Sequence, residues 1–316
     1  MTQVPSISKT APQPGKLQRA WQIFLRYKYV YLMFVPVAIY YMMFHFIPMA
    51  GAVIAFEDYS PRGGLFGSDW VGLQHFKDFF GSVYFWRLMR NTLVINLYGL
   101  FFGFPAPIIL ALMLSEVRKT GFKRTVQTIT YMPHFISVVV AAGIILDFFA
   151  FDGLVNEVLK LLGINPQMFM TEPNYFYGIF VGSGIWQNVG WDSIIYLSTI
   201  SAIDPTLYEA AVVDGAGRWA KLRHVTFPGI LPTIIIMLIL RIGNMLSVGF
   251  EKVLLLYNPS IYETADVIST YVYRMGLLNN DYSYSTAVGL FNSVVNFTLL
   301  VGANYFSKKM GDNSLW

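Results

Sequence analysis

The sequence predicts an all-α membrane protein with six transmembrane helices and both termini on the cytoplasmic side, and three observations carry this reading. Hydrophobic residues make up 55% of the 316-residue chain and charged residues 13%, against roughly 45–50% and 25% in soluble domains. The apolar excess is gathered into six stretches, near 30–55, 92–114, 127–150, 176–201, 229–249 and 285–306. Each can cross a hydrocarbon core of ~30 Å, which takes about 20 helical residues, and none shows the period-two alternation of a strand. Lysine and arginine set the orientation. Fourteen flank the spans on one side, among them Lys16, Arg26, Arg118, Lys123, Arg218, Arg223 and Lys308, and seven lie on the other, from Arg62 to Arg274. The richer side is cytoplasmic, so the net charge of +4 reports topology and not nucleic-acid binding.

Residues 1–28 form a cytoplasmic tail. Positions 1–15, rich in Ser, Thr, Pro and Gln, read as disordered. Positions 16–28 put Leu17, Trp21 and Phe24 on one face, which suits an interfacial amphipathic helix or a plain basic flank. The first apolar block starts too late and runs too long for a signal-peptide core and reads as an uncleaved anchor. Residues 29–316 form one transmembrane domain. Its outer connections hold a turn at Ser60–Gly64, a short helix over Leu73–Phe80, a helical element in 152–175 punctuated by Pro166 and Pro173, and a polar, aromatic segment over 250–284. With no cysteine, disulfides and thiolate metal sites are excluded. The four histidines, at positions 45, 75, 134 and 224, have no metal-ligand spacing.

Polar groups inside spans are functional candidates, because an ionised side chain at mid-membrane costs about 2.5–3.5 kcal/mol unless paired or hydrated. Arg241 lies about twelve residues into the fifth span, ~18 Å from its cytoplasmic end, and Asp192 falls at a similar depth in the fourth. They form either a structural ion pair or part of a polar route. Gln187, Asn188 and Trp191 lie beside Asp192, Asn244 lies one turn beyond Arg241, and Asn292 and Asn296 share a face of the sixth span. Amides and tryptophans suit a carbohydrate, whose hydroxyls need donors and acceptors and whose apolar faces stack on rings. Hydrogen bonding between helices is the alternative.

The most informative segment is 209–228, EAAVVDGAGRWAKLRHVTFP, a polar and basic interruption between two apolar stretches. Asp204-Pro205 supplies a helix cap and a first-turn proline. Leu207, Ala210 and Ala211 give the short helix a small apolar face, and Asp214-Gly215 breaks it. Arg218–His224 then reads as a second, basic helix ended by Pro228. Glu209-Ala210-Ala211, Gly215 and Pro228, at these spacings, resemble the "EAA" loop of permease subunits in binding-protein-dependent ABC importers, with Val225 and Phe227 standing for the usual Ile and Leu. The runs Val71–Phe76, Arg90–Leu93, Arg241–Asn244, Gly249–Lys252, Leu256–Pro259, Ala265–Ile268 and Thr270–Arg274 are similar to the polysaccharide-type branch of carbohydrate-importer permeases. That branch includes importers of pectin-like and alginate-like uronate oligosaccharides.

The resemblance covers roughly 30–306. It implies a type I importer permease fold in a bacterial cytoplasmic (inner) membrane, with the loop at 202–228 coupling to an ATPase through Glu209, Ala210, Ala211, Asp214 and Gly215. The implied partners are a second homologous permease subunit (a heterodimer), two ATP-binding subunits, an extracytoplasmic solute-binding protein and membrane lipid. No cofactor is expected in this chain, ATP and Mg belonging to the partners: its Gly15-Lys16 is followed by Leu17 and not by Ser or Thr, so there is no phosphate-binding loop, and the chain is not itself an enzyme. The substrate reads as an oligosaccharide. An anionic, uronate-type one fits Arg241, and a neutral one fits the amides and tryptophans. The competing class is an ion-gradient-driven secondary transporter, which needs buried carboxylates and internal repeats. Only Asp147 and Asp192 offer the former, and no repeat is evident.

Overall fold

Long apolar runs can satisfy their backbone polar groups in lipid only as helices or closed barrels, and here they are helices. A computed structural model describes Gly15, residues 24–64 and residues 67–311. Two units emerge, Met1–Val53 and Ile54–Trp316. Most of α1 (Lys28–Phe56) makes up the described part of the first. The second opens with a small antiparallel pair, β1 (Glu57–Asp58) and β2 (Asp69–Trp70), Glu57 facing Trp70. Next come α2 (Gln74–Gly81), α3 (Phe85–Glu116), α4 (Thr120–Phe135), α5 (Val138–Phe148) and α6 (Leu154–Leu161). Beyond them lie α7 (Pro173–Ser201), α8 (Pro205–Val213), α9 (Arg218–Gly243) and α10 (Phe250–Leu256). The chain closes with α11 (Tyr262–Ala265), α12 (Ile268–Tyr273) and α13 (Tyr282–Gly311). Among the described residues α1, α3, α9 and α13 are long and apolar enough to cross a membrane, and α4 with α5 makes a fifth crossing if the two are one broken span. The 29-residue α7 matches them in length, ~43 Å at 1.5 Å per residue, but carries Gln187, Asn188 and Asp192 along its middle.

Prolines shape three of these helices without ending them. π turns at Met42–Phe46, Gly99–Gly103 and Leu222–Thr226 each finish two residues before a proline, at Pro48, Pro105 and Pro228. A proline inside a helix lacks an N–H and presses its ring on the carbonyl four residues back. The wider π turn moves that carbonyl aside and lets the helix continue. The expectation that Pro228 ends the basic helix is therefore corrected: Arg218 to Gly243 is one continuous helix.

Two further expectations change. The apolar stretch 127–150 is not a straight span, because α4 and α5 meet at an angle of 103°. Ile136 and Ser137 are extended there, and the Ser137 side chain caps α5 by accepting from the Val140 N–H at 3.3 Å. The fifth apolar stretch, expected to reach residue 249, stops as a helix at Gly243, with Asn244 at its C-cap. The short helix expected over Leu73–Phe80 is α2, shifted by one residue. Apart from Gly15, the tail expected over 1–15 lies outside the described residues, as does most of the interfacial helix over 16–28.

Packing in the second unit centres on α7. Buried Ile108 and Ala111 of α3 meet Tyr196 of α7 and Ile230 of α9. At its other end Phe176 and Ile179 pack with Ile95 of α3, Ala142 and Ile145 of α5, and Val253 and Leu256 of α10. Where α4 crosses α7, a Cβ at Gly190 would run into the backbone carbonyl of Thr130, so only glycine allows the two helices to come this close.

Candidate functional site

Between α3, α7 and the segment running from the end of α9 into α10 lies a cavity of about 340 Å³. The π turn Gly99–Gly103 and the glycines at its two ends widen the α3 wall, and Gly99 and Gly103 both line the space. The missing side chain at Gly99 has a direct use: a Cβ there would sit 2.8 Å from Arg241 Nη2, so the guanidinium occupies room that glycine leaves. Five of the eight sequence candidates meet in this cavity, namely Gln187, Asn188, Asp192, Arg241 and Asn244.

Arg241 and Asp192 face the same space, but they are not within ion-pair distance. Among the described residues the ion pairs are Arg87–Asp266, Arg274–Asp266 and Lys160–Glu157. Gln187 and Asn188 serve two ends at once. Gln187 Nε2 donates to the Ile136 carbonyl at 3.3 Å, an acceptor released by the break between α4 and α5. Asn188 Oδ1 lies 3.0 Å from His134 Nδ1 while its Nδ2 donates to the Gly184 carbonyl at 3.1 Å. These amides thus fasten the broken span to α7 and still present their edges to the cavity.

Trp191, Asn292 and Asn296 lie off the cavity. Trp191 stacks on the His134 ring at 4.5 Å between centroids and 4° between planes. Asn296 Oδ1 accepts from the Leu246 N–H at 2.8 Å, and its Nδ2 donates to Ser247 Oγ at 3.0 Å. It therefore fixes the turn after α9 from α13. Asn292 is half-buried, with its Oδ1 unpartnered. The cavity also recruits residues that sequence reasoning passed over. Asn96 and Ser247 add hydrogen-bonding edges, and Lys252 adds a second cation. Lys252 follows the fifth apolar stretch and reads as an outer-loop lysine; only the turn after α9 folds it back.

The 202–228 loop is built from its own caps. Asp204 accepts the Thr206 N–H at 2.9 Å, and this bond holds the Asp204 carboxyl below its ordinary value of 3.8. At the other end of α8, Gly215 takes φ +77°, the left-handed region that side chains resist. Ala216 N–H then donates to the Ala211 carbonyl at 2.8 Å and Gly215 N–H to that of Val212 at 3.0 Å, a complete Schellman stop. Glu209 and Ala210 are exposed, and no residue of α8 is buried. Leu207 is 53%, Val213 87% and Trp219 74% exposed, three large apolar side chains left uncovered on the hairpin among the described residues. The hairpin is nonetheless fixed at its base. Tyr208 Oη lies 3.0 Å from the buried Thr226 Oγ1, and Ile203 packs where a Cβ at Gly229 would sit.

A third cluster ties α3 to α11 and α12. Asp266 is fully buried and accepts from Arg274 at 2.6 and 3.1 Å, Arg87 at 3.3 Å and Thr270 at 3.0 Å. Asn91, also fully buried, donates to the Glu263 and Asp266 carbonyls at 2.9 Å each and accepts from Tyr177 Oη at 2.9 Å.

Known proteins resemble this chain in sequence and fold. Residues 103–312 match the family of binding-protein-dependent transport system inner membrane components. Protein LplB of Bacillus subtilis (strain 168) is 46% identical over 292 residues, 92% of each chain. The polygalacturonan/rhamnogalacturonan transport system permease protein YteP of the same organism is 42% identical over 99% of this chain and 98% of its own. A chain of a bacterial ABC transporter involved in the import of the acidic polysaccharide alginate is 44% identical and matches with a TM-score of 0.87 over 93% of this chain and 99% of that one. The bacterial alginate transporter in complex with alginate pentasaccharide-bound periplasmic protein matches at 43% identity, again with a TM-score of 0.87. The chain belongs to the family of binding-protein-dependent transport system inner membrane components, and its fold is that of an ABC importer permease.

Proposed function

We propose that this chain forms half of the route by which an oligosaccharide bearing acidic sugars, delivered by a solute-binding protein, crosses a bacterial inner membrane. A second, homologous permease subunit supplies the other half, and two ATP-binding subunits dock on the 202–228 loop from the cytoplasm. The chain crosses six times with both termini inside, α4–α5 and α7 completing the count. One observation carries the reading: α9 is continuous from Arg218, at the exposed hairpin, to Gly243, past the cavity-lining Arg241. At 1.5 Å per residue its 26 residues span ~39 Å. A displacement of the hairpin by closing ATPases therefore reaches the cavity through a single rigid body. The short apolar face of α8, with Glu209, Ala210 and Ala211, seats in the ATPase, and the turn at Asp214-Gly215 holds the angle between α8 and α9. At the other end, Arg241 and the amides Gln187, Asn188 and Asn244 meet carboxylates and hydroxyls of the sugar. Polygalacturonan and rhamnogalacturonan in the name of YteP, and the acidic polysaccharide alginate as the cargo of the alginate transporter, support the substrate class.

The test is ATPase stimulation by loaded binding protein in the assembly reconstituted in lipid. Glu209→Lys or Gly215→Pro is expected to abolish stimulation while leaving the assembly's membrane insertion intact. Uptake driven by an ion gradient in this chain alone would overturn the proposal.

A further inference from the structure

We propose that Lys252 is a specificity residue of the solute route, reading the carboxylates of a passing acidic oligosaccharide together with Arg241. This rests on the function proposed above and names the group that selects for charge.

The side chain is held in place. Lys252 Nζ donates to the Phe180 carbonyl of α7 at 3.1 Å and lies 5.0 Å from the centre of the Phe180 ring. Gly184, one turn further along α7, lies beside it: a Cβ there would be in ordinary contact with Nζ, at 3.6 Å. The ammonium is thus pinned to the cavity wall, and Lys252 lines the cavity with Arg241 on the far side of the turn after α9.

What holds it does not neutralise it. A backbone carbonyl fills one of three N–H positions and carries no charge. The other internal cations of the second unit differ: Arg87 and Arg274 share Asp266. Lys252 and Arg241 have no carboxylate within ion-pair distance among the described residues. Asp192 is the single acidic residue lining the cavity, so the lining carries two cations against one anion. A half-buried, unneutralised cation attracts an anion far more strongly than one in open water.

The two cations also differ in a useful way. A guanidinium offers a planar fork that fixes a carboxylate's orientation, and an ammonium offers a rotatable point charge. A chain of acidic sugars can hand its carboxylates from one to the other, and several weak sites let a solute leave as well as enter.

The experiment compares uptake of an acidic oligosaccharide with uptake of its carboxyl-reduced, neutral form, both delivered by one solute-binding protein to the complete assembly in liposomes. The readout is the acidic-to-neutral uptake ratio in each variant relative to wild type, in which the binding protein's own preference cancels. Lys252→Met is expected to lower the ratio about tenfold, the worth of one charge-assisted hydrogen bond, and Lys252→Arg to restore most of it. A ratio that does not move in Lys252→Met, whether both rates hold or both fall, overturns the proposal, since a side chain that only packs affects the two sugars alike. A wild-type assembly that prefers the neutral sugar, or imports neither, overturns the underlying functional reading and this inference with it.

Discussion

The 202–228 loop and the Asp266 cluster both join helices, and they do so in opposite ways. The loop meets its own hydrogen-bonding needs locally, with the Asp204 cap at one end of α8 and the Gly215 stop at the other, and leaves Leu207, Val213 and Trp219 exposed. The Asp266 cluster is buried and draws on residues 175 or more positions apart, Asn91 and Arg87 reaching across to Asp266. A segment stabilised from within can keep its shape while a partner seats on it and moves it. A segment stabilised by distant partners holds α3, α11 and α12 together and resists movement. Within one fold, the first is a locally braced hairpin with apolar side chains exposed, and the second is a buried lock built from far along the chain.

The two regions should respond most differently to substitution at Asp266. Removing one member of a buried charge cluster leaves the others uncompensated, at a cost of about 3–5 kcal/mol. Asp266→Asn is therefore expected to lower thermal stability of the purified protein strongly and to lose transport along with folded protein. A variant that unfolds at the wild-type temperature would show that the Asp266 cluster does not hold these helices together. Gly215→Ala should behave differently. It forces a side chain into the left-handed region, a local cost of about 1–2 kcal/mol, while α3, α7 and α13 keep their packing. Folding should survive, and stimulation of ATP hydrolysis should fall severalfold.

The smallest expected effect is at Asp204. Its carboxylate titrates below its ordinary value because it accepts the Thr206 N–H. The cap therefore contributes fully above pH 3.8 and is lost as pH falls through the lowered native value. Hydrogen exchange at the first turn of α8 should rise in that acid window alone, and Asp204→Asn, which keeps a capping oxygen, should remove the pH dependence. Equal exchange in both proteins at every pH would deny the cap its role.

How legible each region was follows from the range of its interactions. The caps of α8 are local chemistry, so Asp204-Pro205 and Asp214-Gly215 announce them in the sequence. Apolar runs announce the spans in the same way. Pro228 misled because the usual breaker rule takes no account of a π turn at Leu222–Thr226 that accommodates the ring. The bend at Ile136–Ser137 sits within an apolar stretch whose length alone argues for a straight crossing, and it is stabilised by Gln187 from another helix. Arg241 stood out as a charge inside a span. Lys252 did not, since its role depends on a turn that brings a loop residue back onto Phe180 and Gly184. Arg87, Arg274 and Asp266 looked like ordinary loop charges because nothing local pairs Arg87 with a residue 179 positions away.

On the function proposed above, ATP-driven force enters the chain at the 202–228 loop. With no cysteine in the sequence, a single Val213→Cys substitution, at an 87% exposed position, gives a clean probe. Disulfide cross-linking of that residue to single cysteines on the ATP-binding subunit, in the reconstituted assembly, measures the contact directly. A cross-link is expected to form, to stop solute uptake and to be reversed by reductant. An assembly that transports solute normally while Val213→Cys never cross-links to the ATPase would contradict the proposal.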